Sequence, residues 1–291
     1  MSVLVSLRPE QWTKNFVVFA ALIFARRLLD PAAVALALAA FLIFCALSGG
    51  VYLFNDVSDR ESDRRHPLKS RRPVASGALS VNAALLWASL LTAAGLGLAF
   101  WLQPAFGWAA FAYVALQAAY SRWLKHVVIV DVMAIAAGFV LRAVAGGLVI
   151  SVPISDWLLV CTILLALFLG LSKRRHELTL LADEAGEHRR ILEEYDPYLL
   201  DQMIAVVAAC TLVAYIIYCL SSETADRIGT HLLVLTVPFP IYGIFRYLYI
   251  VHRKDGGGNP SAVLLTDRPL LACVGLWSLT VVAIIYRPFG S

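Results

Sequence analysis

Apolar stretches long enough to cross a bilayer recur from one end of the chain to the other, with short charged segments between them. The pattern predicts nine helices, near residues 12–29, 31–65, 80–102, 105–122, 128–150, 156–173, 202–221, 231–251 and 268–286. Arg26 and Arg27 close the first after a short apolar run. The second opens with Asp30 placed to cap it and Pro31 suited to its first turn. Residues 73–121 carry no charge and hold two spans, divided at Gln103-Pro104, where proline interrupts a helix. Ser80 suits the cap of the third helix and Asp267 that of the ninth. The expected fold is all-α: a polytopic membrane bundle forming a single integral-membrane domain over residues 1–291.

Composition agrees. The chain is 60% hydrophobic and 15% charged, with a mean hydropathy of +0.76, whereas soluble domains are about a quarter charged. A net charge of +4, carried in loops between spans, argues against a nucleic-acid partner and leaves the lipid bilayer as the surrounding phase. The five cysteines all fall in apolar runs without metal-ligand spacing and read as small core hydrophobes. Tryptophans such as Trp12, Trp101, Trp108, Trp123 and Trp157 lie near span ends, where an interfacial aromatic belt accounts for them. The segment from Met1 to Lys14 lacks the pattern of a cleavable signal peptide.

Charge sets the orientation. With nine spans, 18 of the 24 Lys and Arg residues fall on the side of the N-terminus, against four on the other side and two, Arg142 and Arg246, within spans. The positive-inside rule places the charged loops in the cytoplasm, on the inner face of the cytoplasmic membrane.

One charged stretch stands out: FNDVSDRESDRRHPLKSRRPVASG, residues 54–77, follows directly on an uncharged run. On a helix Asn55, Asp56, Asp59 and Asp63 share one face, with Arg60 and Arg64 turned away, and Pro67 should end the helix near His66. Carboxylates sharing a face repel unless a cation sits between them, and hard oxygen donors suit Mg²⁺. The following Lys69, Arg71 and Arg72 supply the cations a diphosphate requires beside that metal. A helix end with ion pairs such as Asp56–Arg60 is the plainer alternative. Tyr120, Arg122 and Lys125 form a second cytoplasmic cluster, and Lys173, Arg174 and Arg175 open a charged loop containing Tyr195, long enough to cap the cytoplasmic mouth. Asp131 and Arg142, three turns apart, should point the same way into a polar cavity, since a charge within the membrane is costly. Arg268 is a further candidate phosphate contact.

These residues resemble the UbiA-like intramembrane prenyltransferase superfamily, and within it the decaprenyl-phosphate phosphoribosyltransferase branch. The matching pieces are Arg8-Pro9-x-Gln11-Trp12-x-Lys14-Asn15, Asn55 through Arg64, and His66-Pro67-x-Lys69-x-x-Arg72-Pro73-x-Ala75-x-Gly77. They continue with Leu124-Lys125-His126, Arg142-Ala143-x-Ala145-Gly146-Gly147, Lys173-Arg174 with Glu177, and Asp267-Arg268. Many superfamily members carry a second D-x-x-x-D; here Asp131 is followed four residues later by Ile135, which leans toward the branch. The resemblance implies Mg²⁺-dependent transfer of 5-phosphoribose from phosphoribosyl diphosphate to a polyprenyl phosphate such as decaprenyl phosphate, releasing diphosphate, and a role in supplying arabinose donors to a cell envelope. Asp56, Asp59 and Asp63 would hold the metal and act catalytically with Lys69 and Arg72. Lys14, Asn55, Arg64, Arg71, Tyr120, Lys125, Asp131, Arg142, Lys173, Arg174 and Arg268 would bind the substrates.

Two other classes stay open. A prenyltransferase moving the lipid from its own diphosphate to a small acceptor would use the same metal face. A transporter of a phosphorylated solute is disfavoured because the charges gather on one side of the membrane, with no polar path across it. A homo-oligomer is compatible with the spans.

Overall fold

The computed structural model describes residues 2–65, 69–182, 194–253 and 258–286. The expected helix end at His66-Pro67 and the central part of the charged loop, residues 183–193, lie outside them. The described residues are nearly all helical. The long helices are α1 (Pro31–Ser58), α2 (Val81–Leu102), α3 (Pro104–Arg122), α4 (Val130–Val149), α5 (Asp156–Ala182), α6 (Pro197–Leu220), α7 (Pro238–Arg253) and α8 (Arg268–Ile285). Among the described residues seven helices are long and apolar enough to cross a membrane. This is a multi-pass integral membrane protein.

The expected caps form. Asp30 accepts from the Ala32 and Ala33 amides at 3.0 and 3.3 Å, Ser80 from Ala83 at 3.3 Å, and Asp267 from Leu270 at 3.0 Å. Each satisfies amides that the first helical turn leaves without a partner.

Five elements differ from the periodicity. The fourth predicted span forms as α3 but is not among the seven, and the sixth, expected to end at residue 173, runs on to Ala182, so Lys173, Arg174 and Arg175 stand on α5 rather than opening a loop. The first predicted helix is instead a 3₁₀ helix, Pro9–Phe19, running into a single α turn, Ala20–Phe24, and it is not among the seven spanning helices. The second predicted helix divides at Asp59, and a short helix, Arg60–Arg65, follows. The ladder itself persists there, with the Asp59 amide donating to the Asn55 carbonyl and the Asp63 amide to the Asp59 carbonyl, each at 2.8 Å, and the Ser62 hydroxyl donates to the same Asp59 carbonyl at 2.8 Å. The eighth begins as a 3₁₀ turn, Leu232–Thr236, before α7.

The chain forms two compact units. The first holds Met1–Leu22, Leu28–Trp123 and Leu141–Pro153; in it α1 packs on α2 and α3, and the Pro9–Phe19 segment lies on α1. Its core is built from Phe44, Leu47, Phe106, Tyr113 and Val149. The second holds Ile23–Arg27, Leu124–Val140 and Ile154–Ser291; in it α5 packs on α6 and α7 on α8. Phe168, Leu200, Ile204 and Tyr247 fill its centre. Leu42, Leu86, Leu98, Val206, Val213 and Leu279 stay exposed on spanning helices, as side chains facing lipid do.

Candidate functional site

In the first unit, the seven-residue spacing of Asp56 and Asp63 returns both carboxyls to one side, and both are buried, at 1% and 3% exposure. Asp59, at the break, is half-buried. The two buried carboxylates are joined by Arg72, whose Nη1 donates to Asp63 Oδ2 at 2.6 Å and to Asp56 Oδ1 at 3.3 Å. Arg8 donates a second guanidinium nitrogen to the same Asp56 oxygen. The partners of Asp56 are thus Arg8 and Arg72 rather than Arg60. Among the described residues no three acidic, histidine or cysteine side chains are gathered to hold a metal ion. A close three-carboxylate cluster, the arrangement a continuous helix would give, is replaced by two carboxylates with guanidinium groups against them.

One oxygen breaks the pattern of satisfied groups. Asp56 Oδ2 is buried and meets no hydrogen-bond donor, a costly condition for a carboxylate. With Asp63 on the same side, it offers the hard-oxygen donor set that Mg²⁺ takes from one or two carboxylates before completing its shell with water and phosphate.

The basic loop is anchored onto this face. Lys69–Arg71 form a 3₁₀ turn and Arg72 precedes the short helix Pro73–Ser76. Gly77, at φ +86°, lets the chain reverse after that helix where a side chain would be strained. Arg64 donates through Nε to the Ala75 carbonyl at 3.1 Å, so it ties the loop down. Lys69 is half-buried and Arg71 exposed. Asn55 accepts from the Ser121 hydroxyl at 2.6 Å, holding the ends of α1 and α3 together beside the half-buried Tyr120.

Deeper in the same unit is a polar knot that the charge pattern did not reveal. Arg142, 4% exposed, donates Nε to Asn15 Oδ1 at 2.8 Å and Nη2 to the Tyr113 hydroxyl at 2.8 Å, with its guanidinium 4.5 Å from that ring. The Asn15 amide nitrogen reaches Cys45 Sγ at 3.3 Å and Ser48 Oγ at 3.4 Å. Lys14 stands close enough to Arg142 and Arg8 to feel both charges. A glycine makes this approach feasible: a Cβ on Gly146, one turn beyond Arg142, would lie 2.1 Å from the Val18 carbonyl oxygen, three residues beyond Asn15.

In the second unit Asp131 is fully buried and accepts from Arg174 Nε at 2.6 Å and from the Tyr195 hydroxyl at 2.9 Å. Arg174, itself 1% exposed, also pairs with Glu177, which Lys173 approaches at 3.6 Å. Tyr195 accepts the Ile129 amide at 2.7 Å, at a residue held at φ +68°. Burial, foremost, pushes the Tyr195 hydroxyl up to about 12. Asp131 and Arg142 are both buried, as a shared face suggested, yet each is held by its own partners. Lys125 is half-buried on a 3₁₀ turn, and Arg268 is exposed at the start of α8, where Asp267 pairs with Arg246 at 2.7 Å.

Arg8, Asn15, Tyr113 and Tyr195 are the side chains that sequence reasoning left without a role. Arg8 and Asn15 lay inside a quoted motif. The signal for Tyr113 was a phenol in an otherwise apolar run, which is indistinguishable from core.

A family model described as the UbiA prenyltransferase family matches residues 15–266. The decaprenyl-phosphate phosphoribosyltransferase of Corynebacterium glutamicum is 34% identical over 292 residues, covering 97% of this chain and 86% of that protein. That of Mycolicibacterium smegmatis is 34% identical over 294 residues, covering 97% and 91%. Among solved structures, a UbiA homologue from Archaeoglobus fulgidus bound to GPP and Mg²⁺ has a TM-score of 0.73 at 18% identity, covering 98% of this chain and 100% of that one. That likeness shows the fold.

Proposed function

The chain belongs to the UbiA prenyltransferase family, and from that premise we propose that it transfers 5-phosphoribose from phosphoribosyl diphosphate to a polyprenyl phosphate, with Mg²⁺, at the cytoplasmic face of the membrane. Decaprenyl phosphate is the lipid named for its relatives. The observation that carries the reading is the pair of buried carboxylates with Arg72 between them, in a chain alike to those transferases along nearly its whole length.

In the proposed reaction the bond from ribose C1 to the diphosphate oxygen breaks, and a bond from C1 to an oxygen of the lipid phosphate forms. Diphosphate leaves with the electron pair. Mg²⁺, when bound, neutralises charge building on the departing diphosphate. Asp56 and Asp63 would hold it, with Asp56 Oδ2 the open donor and Asp59 beside them. Arg72 and Arg8 already stand at these carboxylates and can grip diphosphate oxygens from the same positions, with Lys69 and Arg71 on the adjoining turn. The attacking phosphate is anionic at neutral pH, so no general base is required. Lys14 and Arg142 would hold the second anionic group, and Lys125 and Lys173 are further candidates for a phosphate contact. Arg174 and Asp131 would act by supporting their unit rather than by touching substrate, since each is spent on the other.

Purified protein in detergent, given Mg²⁺, decaprenyl phosphate and radiolabelled phosphoribosyl diphosphate, should move label into the lipid phase, and EDTA should stop it. If no label moves while a polyprenyl diphosphate is consumed with a small acceptor, the chain is a prenyltransferase in the narrow sense and the ribosyl reading is lost.

A further inference from the structure

A 3₁₀ helix repeats every three residues, so in the Pro9–Phe19 segment Trp12, Asn15 and Val18 share one face. Asn15 and Val18 are 1% and 0% exposed, and Asn15 reaches Arg142. This face is therefore the one turned into the first unit. Trp12 lies on it, and its indole Nε1 is buried without a hydrogen-bond acceptor. An interfacial tryptophan keeps its N–H wet, and a buried one usually finds a partner. Trp12 does neither, so the aromatic-belt explanation fails for it.

The surroundings say what kind of acceptor is wanted. Lys14, two residues on, lies in the fields of Arg142 and Arg8, with Glu10 opposing them, and Arg8, paired with Asp56, lies 4.9 Å over the Tyr52 ring at the head of the same segment. A donor unmet by the protein, on the segment that carries Arg8 and Lys14, suits an oxygen carrying negative charge. We propose that Trp12 is a substrate-contacting residue whose indole N–H donates to a phosphate oxygen. The inference rests on the transferase reading above, in which two substrates carry such oxygens: phosphoribosyl diphosphate and the polyprenyl phosphate.

The test is Trp12→Phe, which keeps an aromatic ring and removes the donor. Without substrate, the melting midpoint in detergent should fall only by the packing lost with the smaller ring, because no protein group loses a hydrogen-bond partner. KM for one substrate should rise about 10- to 100-fold, the range for a hydrogen bond to a charged group, with kcat and the other KM nearly unmoved. Which KM rises identifies the source of the phosphate. An independent arm uses ¹⁵N-indole-labelled protein, with the Trp12 resonance identified by its loss in the variant. It should move downfield on adding either Mg²⁺ with inorganic diphosphate or decaprenyl phosphate. This arm reads out even if no label transfer is found, so failure of the reaction assignment and failure of the Trp12 assignment are distinguishable. Both KM values unchanged, whatever the midpoint, or a resonance indifferent to both ligands, overturns the proposal.

Discussion

A Gly146→Ala substitution would put a methyl carbon 2.1 Å from the Val18 carbonyl oxygen and 2.9 Å from the carbonyl carbon, in a structure where contacts under 3.0 Å force something to shift. The obstacle is backbone, so no rotamer change relieves it. The Pro9–Phe19 segment must retreat from α4 by about 0.9 Å to restore even the closest tolerated contact. Asn15 sits one 3₁₀ turn from Val18, and Arg142 one α turn from Gly146. The retreat therefore acts on their 2.8 Å hydrogen bond and stretches it to about 3.7 Å, past the limit of a bond. Overpacking costs about 1–3 kcal/mol and losing a charged hydrogen bond about 1.5–3 kcal/mol. Alanine's better helix propensity returns roughly 1 kcal/mol. A net loss of about 1.5–5 kcal/mol lowers the melting midpoint by about 3–20 °C, at about 2–4 °C per kcal/mol. A thermal ramp of the detergent-solubilised protein, followed by tryptophan fluorescence, measures it. The same variant should bind more weakly the substrate phosphate proposed above for Arg142. A wild-type midpoint together with a wild-type KM would refute the close approach and the coupling of Gly146 to Arg142.

Asp56→Asn and Asp63→Asn should each lower turnover by about 100-fold or more while the protein still folds, since Arg8 and Arg72 are 23% and 27% exposed and can turn to water; label transfer and size-exclusion profiles check both halves. Arg174→Met should cost about 3–5 kcal/mol, because it strands the Asp131 carboxylate in the interior, and little folded protein should be recovered; adding Asp131→Leu should recover part of it. Tyr195 keeps its proton in the folded state to about pH 12, against 10.0 for an ordinary tyrosine. Its contribution to stability is complete below pH 10 and falls away as pH rises toward 12. Tyr195→Phe, less stable at neutral pH, should lose less between pH 10 and 12 than wild type in alkaline melts.

Long apolar runs and their punctuation made most helices legible, because Asp30, Ser80, Gln103-Pro104 and Asp267 act locally, through the turn they adjoin. The Pro9–Phe19 segment was not, because its shape is set by contacts that no periodicity records: an asparagine reaching an arginine 127 positions away, and a glycine admitting a backbone. The acidic face was half legible. The wheel places Asp56 and Asp63 together, yet a wheel cannot show that Arg8 arrives from elsewhere in the chain. Asp131 and Arg174 were visible as charges; their pairing, which turns two binding candidates into a buried strut, was not.

At 28 residues, α1 rises about 42 Å, whereas a bilayer's hydrocarbon slab is about 30 Å thick. With Pro31 set at one boundary and an ordinary tilt of about 20°, Asp56 would stand about 5 Å beyond the other, at the level of lipid headgroups. The phosphate of the polyprenyl phosphate proposed above would ride at that depth while its tail stays dissolved, so neither partner would need to be lifted from its own phase to meet the acidic face. Bilayer thickness then becomes a control on the enzyme. Reconstituted into lipids with longer acyl chains, the same protein should sink its carboxylates toward the oil and turn over more slowly.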